Sequence, residues 1–191
     1  MLPSFPFTHT ARVEFRPLGA GDARELLAVV ATSRAQLGRF MSWPREMLEL
    51  EQARRFVRLG RDGWLAERTV RLGLFERSSG ALLGSIELDG VDLRRSQAEL
   101  GYWVRTDRQG LGYATEAAFF ALRYGFETLR LHKVRADVAV GNGASARVLE
   151  KLGFKREGLL REDRTVGGVF TDHWRYGLLS REFLESLRAW R

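Results

Sequence analysis

One stretch, Glu99 to Glu116, narrows what this chain can become: E-L-G-Y-W-V-R-T-D-R-Q-G-L-G-Y-A-T-E. Leu100, Tyr102 and Val104 alternate with Glu99, Gly101 and Trp103, which is the period of a strand. The chain then breaks at polar residues, passes Gly110 and Gly112, and enters a helix near Ala114. Glycines let backbone N–H groups approach an oxygen closely, and a helix start adds unpaired donors and the positive end of the dipole. Strand, glycine loop and helix together predict an anion site, and a diphosphate is its usual occupant.

The elements on either side decide which kind of diphosphate site this is. Val13 to Leu18 reads as a first strand, and Asp22 as the N-cap of a helix carrying Ala23, Leu26, Leu27 and Val30. A second helical piece carries Leu37, Phe40 and Met41 and is expected to stop at Trp43-Pro44. Glu46 to Trp64 reads as a third helix, with Ala53, Phe56, Val57 and Trp64 on one side. Val70 to Phe75, Leu82 to Leu88 and Arg95 to Arg105 form an antiparallel meander, turning first at Arg77-Ser78-Ser79-Gly80. After the glycine loop comes a helix to about Leu129, with Ala117, Ala118, Ala121 and Gly125 where it meets the sheet. Val134, Ala136, Val138 and Val140 alternate as a strand. A short helix ends at Gly153, two strands turn at Gly167-Gly168, and a terminal helix starts near Arg181. A dinucleotide loop would need a third glycine where Thr115 stands and parallel units on both sides. A P-loop would need Gly-Lys-Ser/Thr after the second glycine. Neither pattern is met.

Composition removes other chemistry. With no cysteine, disulfides, thiolate metal sites and a cysteine nucleophile are excluded. His9, His132 and His173 are far apart in sequence, so no histidine metal site is expected. At 191 residues the chain is expected to be one domain, 1–191. No apolar run reaches membrane-spanning length, and Met1 to Thr10, with Pro3 and Pro6, does not read as a signal peptide. The expected location is the cytoplasm. The net charge of +7 is carried by scattered arginines, without a basic tail or an aromatic-studded basic run, so direct nucleic-acid binding is not expected.

Gln109-Gly110-Leu111-Gly112-Tyr113-Ala114 resembles the Gln/Arg-x-x-Gly-x-Gly/Ala motif of the GNAT superfamily of acyl-CoA-dependent N-acetyltransferases. Further pieces resemble its ribosomal-protein, RimJ/RimL-like branch: Arg16-Pro17-Leu18, Leu37…Phe40-Met41-Ser42-Trp43-Pro44, Glu99-Leu100-Gly101-Tyr102, Ala114-Thr115-Glu116-Ala117, Asn142-x-x-Ser145 and Glu150-Lys151-Leu152-Gly153-Phe154. The resemblance implies a single α+β domain whose mixed, mostly antiparallel sheet of about seven strands splays at its centre between flanking helices. It implies acetyl-CoA as cofactor, no metal, and transfer to a primary amine by direct attack in a ternary complex. The acceptor it implies is a protein N-terminus, such as that of a ribosomal protein. A small amine (amino acid, polyamine or antibiotic) and a non-catalytic acyl-CoA-binding role are the alternatives. A homodimer is also implied.

Site residues follow from the same likeness. Gln109, Gly110, Leu111, Gly112, Tyr113, Ala114 and Thr115 would hold the diphosphate, and Asn142 would both cap its helix and touch the cofactor. Gly101 interrupts a good strand and suggests a bulge or a close approach. In the family this strand is bulged, and the main chain of Trp103, Val104 and Arg105 would lie along the cofactor. A backbone N–H near Tyr102 or Trp103 would polarise the thioester carbonyl. Glu99 is the first choice for the base and Glu87 the second, with a water chain as the alternative. The tyrosine that many family members use as the acid is replaced by Leu149, and Ser145 is the implied substitute. Trp43, with Glu87 and Tyr102, would line the acceptor pocket. Asp172, His132 and His173 read as structural or exposed.

Overall fold

The computed structural model describes residue 2 and residues 9–189. The reading of Met1 to Thr10 as lacking a targeting segment therefore lies mostly outside the described residues. Seven strands form one sheet: β1 (Val13–Arg16), β2 (Val70–Glu76), β3 (Leu82–Asp92), β4 (Gln97–Val104), β5 (Lys133–Ala139), β6 (Lys155–Val166) and β7 (Val169–Leu179). Their spatial order is β1-β2-β3-β4-β5-β7-β6, and every pairing is antiparallel except β4 with β5. Helices α1 (Ala23–Leu37), α2 (Trp43–Glu46) and α3 (Leu50–Leu65) precede β2. The others are α4 (Tyr113–Arg123), α5 (Gly143–Lys151) and α6 (Ser180–Ala189). Among the described residues no helix is long and apolar enough to cross a membrane.

The sheet buries both faces, so two apolar clusters form. Leu72, Ile86, Leu88, Leu100, Val134, Val138 and Leu178 pack with Ala117, Ala118 and Ala121 of α4. Across the sheet, Leu26, Val30 and Leu37 of α1 and Ala53 and Val57 of α3 pack with Phe75, Leu82 and Trp103. The small residues of α4 let it lie close to the strands. At Gly125 a Cβ would already stand 3.3 Å from Leu88 and Leu131, nearer than most side chains tolerate.

The N-terminal helices differ from the sequence reading. Leu37 ends α1 rather than beginning a second helix, and Pro44 helps to start α2 rather than stopping the chain. Proline lacks an N–H, which a first helical turn leaves unpaired anyway, so it suits that position. The third helix starts at Leu50, not Glu46, where the Glu49 N–H donates to Gln52 Oε1 at 2.9 Å. Asp22 does not cap α1 with its side chain; it accepts the Gly19 N–H at 2.6 Å and binds Arg16. Beyond Arg123, residues Tyr124–Thr128 continue α4 as a π-helical segment.

Two features position the site. The parallel β4–β5 pairing joins only Gln97, Ala98 and Glu99 to Lys133, Val134 and Arg135, after which the strands part. This is the expected central splay. The expected bulge at Gly101 is absent: the β3–β4 register runs evenly from Gly84↔Val104 to Asp89↔Glu99 and shifts only between Asp89 and Asp92. Gly101 instead makes room for a side chain, since a Cβ there would lie 3.0 Å from Glu87 Oε1.

Candidate active site

A cleft of about 750 Å³ opens where β4 and β5 separate. It is lined from one side by Gln109, Gly110, Gly112 and Thr115, and from the other by Trp43, Phe56 and Trp103. Glu87, Glu99, Tyr102, Asn142 and Ser145 also border it, so residues distant in sequence share one cavity. Leu111 and Arg105 are not among its walls.

The glycine loop has the shape an anion needs. Gly110 and Gly112 have φ of +76° and +86°, and a Cβ on Gly110 would meet nothing within 4 Å. Gly112 caps α4 without a side-chain hydrogen bond, so the donors of its first turn stay available to a ligand. Gln109 is turned inward: its Nε2 donates to the Val104 carbonyl at 3.0 Å, tying the loop to the end of β4.

The main chain of β4 alternates in direction. The Arg105 N–H donates to the Leu83 carbonyl at 2.8 Å. By the alternation of an antiparallel ladder, Trp103 points its backbone groups and Arg105 its N–H at β3, while Tyr102 and Val104 point theirs into the splay; the Arg105 carbonyl accepts the Arg108 N–H at 3.0 Å. Trp103 and Val104 border the cleft and Arg105 does not. The Trp103 ring lies against Trp43, at 5.5 Å between centroids, and its buried Nε1 has no hydrogen-bond partner among the described residues.

On the α5 side, Asn142 Oδ1 accepts the Ser145 N–H at 3.2 Å, as a helix cap does. Replacing Asn142 with alanine is expected to lower stability by about 1 kcal/mol, measurable by denaturant unfolding. Ser145 Oγ lies 2.9 Å from the Tyr102 hydroxyl, which also donates to the Ser145 carbonyl at 3.1 Å. Burial pushes the Tyr102 phenol up to about 12, opposed by its bond to Ser145. Tyr102 therefore sits beside α5 while bordering the cleft. Leu149 is fully buried, filling the place of the absent tyrosine with core.

Three of the five carboxylates that border the cleft are matched by arginines. Glu87 Oε2 accepts from Arg71 Nε at 2.6 Å. Glu99 accepts from Arg164 at 2.6 Å and from Arg135 at 3.3 Å. Asp137, its side chain only 1% exposed, is held by Nε and Nη2 of Arg175 and by Arg164 at 3.3 Å. Burial pushes the Asp137 carboxyl up, but the bond from Arg175 and the charges of Arg175, Arg164 and Arg135 outweigh it and hold the group below its ordinary value. Asp89 accepts from the Thr69 hydroxyl at 2.5 Å. The sequence reading missed this ion-pair set. One signal was present: Asp137 falls opposite Val134, Ala136 and Val138 in a strict alternation, on the face that looks at the cleft. Among the described residues no group of histidines and carboxylates could hold a metal ion.

Comparison with known proteins agrees with this geometry. Residues 12–155 match the acetyltransferase (GNAT) domain family. The chain is 30% identical over 172 residues to "Putative ribosomal N-acetyltransferase YdaF" of Bacillus subtilis, covering 90% of this chain and 93% of that one. It is also 33% identical over 118 residues to spermidine N(1)-acetyltransferase of Vibrio cholerae, covering 62% of this chain and 68% of that protein. The structure of Mycobacterium smegmatis RimJ in complex with CoA-disulfide has the same fold, with a TM-score of 0.85 at 24% identity and 98% coverage of both chains. The chain belongs to the GNAT family and is an N-acetyltransferase.

Proposed function

We propose that this enzyme transfers an acetyl group from acetyl-CoA to the α-amine of a protein or peptide N-terminus. The observation that carries the acceptor is charge balance: of the five carboxylates bordering the cleft, Glu87, Glu99 and Asp137 each already bind an arginine, which leaves Glu46 and Asp89 as the two without one among the described residues. A polyamine site needs carboxylates whose charge is left for the ligand, because burying an unmatched cation is expensive. A peptide terminus brings one amine and neutral amide groups, and the aromatic wall of Trp43, Phe56 and Trp103 suits their apolar faces. The name of the YdaF relative, a putative ribosomal N-acetyltransferase, favours a protein acceptor; the spermidine acetyltransferase relative names the competing acceptor.

The cleft fits coenzyme A: two left-handed glycines, an uncapped helix start and the splayed strand adjoin one another. Gly110, Gly112 and the first turn of α4 would hold the diphosphate, and the backbone groups of Tyr102 with the Val104 N–H would hold the pantetheine arm and the thioester oxygen. Bound acetyl-CoA supplies the activated acyl group as a thioester. The chain's own part is to orient it, remove a proton from the amine and receive the sulfur.

For the proton, the carboxylates exchange rank relative to the sequence reading. Glu87 lies over Gly101, within the splayed part of β4, and its Oε1 carries no hydrogen bond among the described residues. Glu99 stands at the last paired position, with both oxygens on arginines. Glu87 is therefore the proposed base, and Glu99 orients Arg164. For the sulfur, a thiol of pKa about 8.5 needs only a hydrogen-bond donor near neutral pH. Tyr102, pushed up to about 12, stays protonated and is a poor acid. Its hydroxyl lies 2.9 Å from Ser145 Oγ, and for the serine proton to reach the thiolate the phenol donates to Oγ instead of to the Ser145 carbonyl.

Labelled acetyl-CoA offered with separate pools of free-N-terminal peptides, N-blocked lysine peptides and polyamines tests the acceptor. Label is expected in the first pool, and preferential labelling of spermidine would overturn that reading. Ser145→Ala is expected to lower kcat by roughly 10²-fold, with Tyr102→Phe producing a smaller loss and neither changing the KM for acetyl-CoA.

A further inference from the structure

Arg12 lies just before β1, 99 residues from the glycine loop in sequence, and the sequence gives it no role. In the folded chain it touches that loop at three points. Its Nη1 donates to the Leu111 carbonyl at 3.1 Å, and its guanidinium lies 4.7 Å from the Tyr113 ring centre. Its Nε donates to Glu116 Oε2 at 2.9 Å, and its Nη2 forms an ion pair with the same oxygen. The Thr10 hydroxyl binds the other Glu116 oxygen.

Each contact bears on an anion. Glu116 sits in the first turn of α4, so its charge would oppose a diphosphate at that helix start unless a cation neutralised it. The Leu111 carbonyl belongs to the peptide joining Leu111 to Gly112, between two left-handed glycines. Glycine offers little resistance to a flip of that peptide. Because the peptide is planar and trans, holding the carbonyl on the Arg12 side aims the Gly112 N–H the opposite way. Gly112 borders the cleft, whereas Leu111 and Arg12 do not.

We propose that Arg12 is a positioning residue for the diphosphate loop: it neutralises Glu116 and fixes the Leu111 peptide so that the Gly112 N–H faces the cofactor. This rests on the acetyl-CoA reading of the cleft. Arg12 acts through the loop and makes no contact with the diphosphate itself.

The experiment compares the wild type, Arg12→Ala, Arg12→Lys and the Arg12→Ala/Glu116→Gln double variant. CoA binding is measured calorimetrically, and steady-state kinetics are run with acetyl-CoA and with S-acetyl-pantetheine, which lacks the diphosphate. Arg12→Ala is expected to raise the Kd for CoA and the KM for acetyl-CoA by roughly 10- to 100-fold. The kcat at saturation and the kcat/KM for S-acetyl-pantetheine should stay near wild type. Arg12→Lys keeps the charge without the fork and should fall between. The double variant should recover several-fold over Arg12→Ala, because the unmatched carboxylate is gone. Equal losses with both donors would assign Arg12 a merely structural role and overturn the proposal. No recovery in the double variant would mean that the guanidinium meets the anion directly, which also overturns it. If the wild type itself fails to bind CoA, the acetyl-CoA reading fails instead.

Discussion

Gly112→Val is expected to abolish measurable CoA binding while leaving the protein folded. The residue has φ of +86° and ψ of −2°, a region in which a β-branched side chain is a genuine outlier. Crowding is not the cause, since the nearest atom to an added Cβ, Arg12 Nη2, lies at 3.5 Å, an ordinary contact. The loop would have to rebuild its backbone, and the N–H groups aimed at the anion would turn with it. A hydrogen bond to a charged group contributes about 1.5–3 kcal/mol, so losing two corresponds to a rise in Kd of roughly 10²- to 10⁴-fold. Asparagine tolerates the left-handed region, so Gly112→Asn should bind far better than Gly112→Val. Calorimetry with CoA, alongside a thermal melt, checks both variants. CoA affinity within three-fold of wild type in Gly112→Val would remove the loop from the anchor role.

The loop was legible in sequence because its requirement is local. Gly110 and Gly112 are needed for backbone angles, and those angles belong to single residues. The sheet was legible for a related reason, since Val134, Ala136 and Val138 declare a buried face by period alone. Gly101 shows where such reading stops. A glycine inside a strand signals that something comes close, but the approaching group, the Glu87 carboxyl, comes from the neighbouring strand and depends on register. Pro44 misled for another reason: proline ends a helix or begins one, and only the chain direction at Trp43 tells which. Least legible were the ion pairs. Arg164 reaches Glu99 across 65 positions and Arg12 reaches Glu116 across 104. Long arginine side chains carry little positional information until the strands are in place.

Register also decides between the two carboxylates. Glu87 and Glu99 project from the same face of the sheet, since Glu87 pairs with Gly101 and Asp89 with Glu99. A proton acceptor must be near the amine as it meets the thioester, and it must have a lone pair free. Glu87 satisfies the first condition through Gly101, whose missing side chain lets the carboxylate lie over the splayed strand. It satisfies the second because Arg71 engages only Oε2. Glu87→Gln keeps the shape and removes the basicity, so kcat is expected to fall by roughly 10²-fold or more. CoA affinity should be unchanged. Glu99→Gln should produce a smaller loss, arising through a loosened Arg164. Removing the Glu87 charge also leaves Arg71 without its partner inside a half-buried site, so a modest drop in Tm is expected without loss of fold. Should Glu87→Gln retain more than about a third of wild-type kcat while Glu99→Gln loses roughly 10²-fold, the base is Glu99 and its arginines tune it.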